Sequence, residues 1–227
     1  MHGYMKIPEL KKVCHAYGVS INEYLVAVYV WSVYTECMHG MPSERPVRVA
    51  VPVNLRPYFN SITTKNFFVM VSAEFHPTKE IYTFEEVLKS VSESLRSQIS
   101  RENLEKLFSY NVSNEKLLAA RIVPLFLKNL AMRYVYTTSA LANTATVTNI
   151  GNISVSEEYR PYVEMFHAFL AMSKGQHLKG TICSYGDTLV FSFSYDLTDT
   201  SVQRGFFRKI AADGIVVEIE TNGVNYE

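Results

Sequence analysis

The sequence predicts an α+β fold, a mixed and largely antiparallel sheet flanked by helices, in a single domain spanning residues 1–227. Three stretches carry this expectation. From Arg45 to Phe59, RPVRVAVPVNLRPYF, the residues Val47, Val49, Val51 and Val53 alternate with Arg48, Ala50 and Pro52, the period of two that marks a strand. Between Leu25 and Val33 the chain is apolar nearly all round, as a helix buried between layers must be. Thr181 to Tyr185 and Thr188 to Tyr195 are joined by Gly186-Asp187, a two-residue loop that favours a primed hairpin turn.

Composition bounds the function classes. Twenty-two basic residues balance twenty-two acidic ones, and no Lys/Arg run stands out, so neither nucleic acid nor an anionic membrane surface is favoured as a partner. Cys14, Cys37 and Cys183 are odd in number and widely spaced, which suits buried thiols in a reducing compartment; the expected location is cytoplasmic. The start, MHGYMKIPELKK, lacks an apolar signal core. The longest apolar run, Tyr24 to Tyr34, is too short to span a bilayer.

Taken in order, Leu10, Val13, Cys14 and Tyr17 fall on one helical face, closed by Gly18. Ser20 and Glu23 form a capping box that opens a helix to about Cys37, ended by Gly40 and Pro42. The Arg45 strand follows, stopped by Pro57, which has no N–H to donate. After a loop at 60–64, NFFVMVSAEF reads as a second strand, and Thr83 with Glu86 caps an amphipathic helix through Ile99. From Glu102 to Tyr136 the pattern stays helical, with interruptions expected at Asn111 to Asn114 and at Pro124 and a break at Val123.

The second half reads mostly as sheet. Thr144 to Gly151, TATVTNIG, is a strand running into an Asn-Ile-Gly turn, and Val163 to Met172 is expected as a further strand carrying His167. The hairpin comes next. Thr198 or Asp199 then caps a helix containing Val202, Phe206 and Ile210, ended by Gly214, and Ile215, Val217 and Ile219 make a last short strand.

Chemistry is sparse. Cys14 with His15, Cys37 with His39 and His76 with Glu80 are isolated pairs that cannot supply the three or four ligands zinc requires, so no metal site is expected. No glycine-rich phosphate loop and no G-x-S-x-G elbow occurs. His167, a lone histidine between Phe166 and Ala168, reads as a core imidazole with one partner before it reads as a base. Arg56, delivered to a sheet edge by its strand, is a structural clamp, a solvated charge or a functional group.

Four segments in this order, SINEYLVAVYVWSVY, VRVAVPVNLRPYF followed by KNFF, TVTNIGNI, and YGDTLVFSFSYDLTDTSVQRGFFRKIAADG, resemble the C-terminal half of the chloramphenicol-acetyltransferase-like superfamily. That superfamily of CoA-dependent acyltransferases includes alcohol acetyltransferases, the nearest branch, and the condensation domains of nonribosomal peptide synthetases. The resemblance covers nearly the whole chain and implies one lobe of a two-lobed enzyme with a tunnel between its lobes. The residues four positions after the six histidines are Lys6, Val19, Ser43, Glu80, Ala171 and Thr181, so the family's His-x-x-x-Asp motif is missing and no catalytic residue is assigned. A C-terminal lobe without its N-terminal catalytic lobe is the expectation.

The resemblance further implies acyl-CoA or an acyl-carrier thioester as co-substrate and no bound cofactor. Thr148 and Asn149 become candidates for the tunnel wall or for stabilising an oxyanion, and Arg56 with Asn54 a supporting clamp between lobes. Expected partners are the N-terminal lobe, a carrier protein and, through uncovered apolar surface, a second copy. The alternative reading is a non-catalytic module that binds an acyl chain or a carrier protein.

Overall fold

The computed structural model of the chain describes residues 1–116, 123–173 and 175–222. Among them seven strands form one mixed sheet: β1 (His2–Lys6), β2 (Val47–Asn54), β3 (Phe68–Phe75), β4 (Ala145–Asn152), β5 (Leu178–Tyr185), β6 (Thr188–Tyr195) and β7 (Val217–Glu220). Their order is β3-β2-β4-β5-β6-β1-β7. The β2–β3, β5–β6, β6–β1 and β1–β7 pairs are antiparallel, and β2–β4 and β4–β5 are parallel. The expected hairpin, β5–β6, is present, and β2 and β3 make a second antiparallel pair across the 60–64 loop.

The described residues also form helices α1 (Ile7–Tyr17) and α2 (Ile21–Ser32), the short turn α3 (Arg56–Phe59), α4 (Phe84–Gln98), α5 (Arg101–Lys116), α6 (Leu125–Leu141) and α7 (Ser201–Ala212), with a 3-10 turn at Arg160–Tyr162. Ser20 and Thr83 each close a full capping box, with Glu23 and Glu86 reaching back to the cap N–H. A π-turn, Val33–Cys37, ends α2. From Tyr24 to Val30 every residue of α2 is fully buried. Tyr29 stacks on Phe193 of β6 at 5.7 Å between centroids, and Phe191, Phe193, Phe206 and Phe207 form an edge-and-face cluster between β6 and α7. Gly180 permits this: a Cβ there would lie 2.7 Å from the Phe191 ring.

Residues of even and odd position divide the sheet as its pleat requires. Val49, Val147, Ile182 and Phe191 face the helices and are buried. Thr146, Lys179, Thr181 and Ser192 face the other way. Along the β3 edge, Ser90, Ser94 and Gln98 of α4 form a polar stripe: the Gln98 Oε1 accepts from Ser72 N at 3.1 Å, Ser94 Oγ from Glu74 N at 3.1 Å, and Gln98 Nε2 donates to Ser72 O at 2.8 Å. The helix thereby satisfies backbone groups that an edge strand would otherwise offer to another chain.

Several elements differ from the sequence reading. Residues 163–172 form no strand. They cross the outer sheet face as an extended strap, tied by Lys179 Nζ to Ala171 O at 2.8 Å and by Cys183 Sγ to Phe166 O at 3.1 Å, so their apolar spacing reflects covering a surface and not joining a ladder. The strand β1 has no counterpart in the sequence reading; its five residues are fixed by pairing with β6 and β7, strands near the far end of the sequence. Helix α5 runs through Asn111 to Asn114 without interruption, since asparagine costs a helix well under about 1 kcal/mol. Pro124 directly precedes α6, where a missing N–H is tolerated, and residues 117–122 beside the expected break lie outside the described ones. Thr200 occupies the cap position of α7 without a side-chain bond, while Asp199 accepts from Ser201 N at 2.9 Å. Of the three thiols Cys14 and Cys183 are buried, but Cys37 is exposed where the π-turn ends α2.

One ion pair joins the helical layer. Arg96 of α4 donates to Glu23 Oε1 at 2.6 Å and to Gly18 O at 3.0 Å, holding the start of α2. Burial pushes the Glu23 carboxyl up, but the bonds from Arg96 and Ser20 outweigh it, and the net direction is down. A carboxyl held low in the fold contributes stability above its unfolded value and loses it as pH falls through the folded one. The Glu23→Gln protein is therefore expected to be less stable than the parent at neutral pH, with the difference shrinking in acid below the ordinary glutamate range; urea melts from pH 7 to 3 measure it, and a gap that widens in acid would contradict the assignment.

Candidate functional site

Strands β2 and β4 run side by side only briefly. Their register is Val49 with Ala145 and Ala50 with Thr146, supported by Thr144 N donating to Arg48 O at 2.8 Å. Beyond this point Pro52 has no N–H with which to extend the parallel ladder. Strand β2 continues to Asn54 paired with β3, and β4 continues to Asn152 paired with β5. The carboxyl ends of the two parallel strands thus diverge into a wedge, with Phe68, Met70 and Ile150 exposed beside it. Pro52, visible in the sequence as a proline inside a strand, thus marks where the parallel ladder stops.

The β2 side of the wedge ends in a knot around Arg56. Its Nε and Nη2 donate to Thr63 O at 3.1 and 3.0 Å, Nη2 also to Lys65 O at 2.7 Å, and Nη1 to Asn54 Oδ1 at 3.3 Å. The same Asn54 oxygen accepts from Arg56 N at 3.1 Å. The guanidinium therefore folds the 60–65 loop back onto the strand exit through backbone carbonyls, with no carboxylate in the arrangement.

On the β4 side, the register shifts between Asn149 and Gly151, and Gly151 takes a φ of 85° that other residues rarely adopt. Asn149 Oδ1 accepts from Gly151 N at 2.8 Å, which turns its Nδ2 toward Asn22 Oδ1 at 3.3 Å, at the start of α2. Asn149, Gly151, Ile21, Ile182 and Asp187 line a groove of about 500 Å³ between the ends of β4 and β5 and the starts of α1 and α2, with no residue of β2 in its wall. Thr148 is not part of it. It pairs with Thr181 on the outer face, so the pleat sends Thr148 and Asn149 to opposite sides of the sheet. Asn54 and Arg56 are brought together; Thr148 and Asn149 are adjacent in sequence but separated in direction.

The histidines lie elsewhere. His167 on the strap bonds the Tyr4 hydroxyl at 2.8 Å and packs against His2 at 4.5 Å between rings, while Tyr4 also donates to Glu220. Burial pushes the His2 imidazole down and the Tyr4 phenol up to about 12. This outer-face cluster was missed because β1 was missed. No group of three or more metal-ligating side chains occurs among the described residues, and no helix among them is long and apolar enough to cross a membrane.

Because Arg56 makes its bonds inside the loop it holds, Arg56→Ala is expected to free residues 60–65 locally, with a global loss of no more than about 1–3 kcal/mol. Hydrogen exchange checks this. Faster exchange confined to the 60–65 loop is the expected outcome; unchanged protection there would mean that the carbonyl bonds do not hold the loop.

No family model matches the chain, and no curated protein matches it by sequence. Solved structures do match in three dimensions. The nonribosomal peptide synthetase FmoA3 gives a TM-score of 0.60 at 17% identity over 94% of this chain and 21% of that one. Polyketide synthase associated protein 5 from Mycobacterium tuberculosis gives 0.57 at 9% identity over 93% and 51%. The wax ester synthase/diacylglycerol acyltransferase from Marinobacter aquaeolei VT8 gives 0.50 at 15% identity over 94% and 48%. The chain spans about half the length of the last two and less of the first. At these identities the likeness is one of fold: the chain has the architecture of one lobe of the CoA-dependent acyltransferase fold.

Proposed function

We propose that this chain is the C-terminal lobe of an acyltransferase that moves an acyl group from a CoA or carrier-protein thioester to an alcohol or amine. The observation that carries the reading is the wedge between β2 and β4, with polar, locally anchored groups at both strand ends, in a fold shared with a wax ester synthase. In such a reaction a base takes the proton of the acceptor O–H or N–H, the acceptor atom bonds to the thioester carbonyl carbon, and the C–S bond breaks to release a thiol that regains the proton. In this reading Asn149 is the donor to the developing oxyanion, through the Nδ2 hydrogen that it does not give to Asn22 Oδ1. Arg56 and Asn54 hold the facing strand exit in position. The base is assigned to an N-terminal lobe carrying a His-x-x-x-Asp motif, which the sequence here does not contain.

A second reading is favoured by α6. Leu125, Phe126, Leu130, Met132, Tyr134, Val135 and Tyr136 on this helix are all exposed, more apolar surface than one helix of a self-sufficient domain leaves uncovered. In that reading the lobe is a non-catalytic module whose helix meets a carrier protein, a partner lobe or a second copy.

The two readings separate in solution. Purified chain given acetyl-CoA and a panel of alcohols and amines is expected to release CoA no faster than buffer, and to gain activity when a polypeptide bearing the histidine lobe is added. Turnover by the chain alone that is lost in His167→Ala would overturn the lobe assignment. The exposed face of α6 is also expected to drive self-association: light scattering should show dimers or larger species at high concentration, reduced by Phe126→Ser with Leu130→Ser, whereas a monomer at every concentration would count against an interaction role for this helix.

A further inference from the structure

Sheet order places β7 at the edge farthest from β3 and from the wedge. There α7 and β7 flank an open, shallow groove of about 370 Å³, within the size range of small-ligand sites. Its floor is apolar: Phe207, which is buried, with Ala211, Val217 and Ile219, the last half exposed to solvent. Two guanidinium groups stand at its rim. Arg204, Phe207, Arg208 and Ala211 follow the i, i+3, i+4, i+7 spacing that sets residues on one helical face, so both cations overlook the same apolar floor.

Neither arginine makes an ion pair among the described residues, although ten such pairs occur elsewhere. The nearby Asp199 feels Arg204 through space, but both its oxygens are taken by Ser201, from the backbone N–H and the hydroxyl, each at 2.9 Å. Among the described residues no acidic side chain lines the groove. Two forked donors above an apolar floor complement a molecule with a carboxylate at one end and an aliphatic chain at the other, because each guanidinium can take a carboxylate by two parallel hydrogen bonds while the chain leaves water.

We propose that the α7–β7 groove is a binding site for a carboxylate-bearing amphiphile, with a medium-chain fatty acid as its simplest representative. The site lies apart from the wedge and does not depend on the acyl-transfer reading. Arg204 and Arg208 hold the head group; Phe207, Ala211, Val217 and Ile219 hold the chain.

Titration calorimetry with decanoate, below its micelle concentration, is the test. One saturable site is expected, weakened at least tenfold in the Arg204→Gln, Arg208→Gln double variant and weakened by added salt, which screens the rim charges. Ala211→Phe, which fills the floor and keeps both charges, should remove binding as well. Decanol should bind much more weakly than decanoate, and acetate not measurably. Both variants change exposed positions, and their thermal melts should match the parent. The proposal is overturned if decanoate does not saturate, if decanol binds as tightly as decanoate, or if either variant binds decanoate like the parent, which would place the fatty acid on another apolar surface such as α6.

Discussion

Helix α2 sets the terms for everything around it. Seven consecutive residues, Tyr24 to Val30, have no surface left in water, and each large one contributes about 1.5–3 kcal/mol only if neighbours cover it. A helix buried on all sides needs cover on all sides. The sheet supplies it below, through Phe193 against Tyr29, and α4 and α7 supply it on the flanks. Polar groups carried inside by this burial are then matched: Tyr29 Oη donates to Leu178 O at 3.3 Å, Ser32 Oγ to Val28 O at 2.8 Å, and Tyr24 Oη to Asp213 at 2.7 Å. Asp213 also takes Lys209 Nζ at 2.5 Å and Tyr17 Oη at 3.3 Å, so one carboxylate ties the ends of α1 and α7 to the start of the central helix.

The sheet that carries this layer has two different faces. The helix side is a packed apolar core. The outer side presents hydroxyls, Lys179 and an imidazole to a strap without regular structure, and what holds that strap is a handful of side-chain bonds. Lys179 is buried there with no ion pair among the described residues and donates hydrogen bonds to Ala171 O and Ser173 Oγ, at 2.8 and 2.6 Å. Core strength and surface chemistry are thus separated by a single layer of backbone.

Much of the fold was legible because local chemistry and the final structure agree. The Ser20–Glu23 and Thr83–Glu86 boxes, the Gly186-Asp187 turn and the valine alternation of β2 each determine their element from within a few residues. What was not legible depends on distant partners. Strand β1 has a histidine, a glycine and a tyrosine in five positions and becomes a strand because β6 and β7 bracket it. Residues 163–172 have the apolar content of a strand but lie across the ladder. In the candidate site, the strand exit at Asn54 and Arg56 could be read from β2 and Pro57, whereas the bond from Asn149 to Asn22 spans 127 positions and needed the fold. The opposed directions of Thr148 and Asn149 follow from the period of two alone; it is the bulge after Asn149 that gives the asparagine its aim.

The brief pairing of β2 with β4 has a mechanical consequence. On one side of it stands the β2–β3 hairpin with α4 fastened along its edge, and on the other the leaf of β4, β5, β6, β1 and β7 under α7. Each leaf is cross-braced within itself, yet in the sheet they meet through the short register at Val49 and Ala50. A plate is weakest where it is thinnest, so the sheet alone would bend at that register, and α2, packed against α4 over one leaf and α7 over the other, is the brace that spans the weak line.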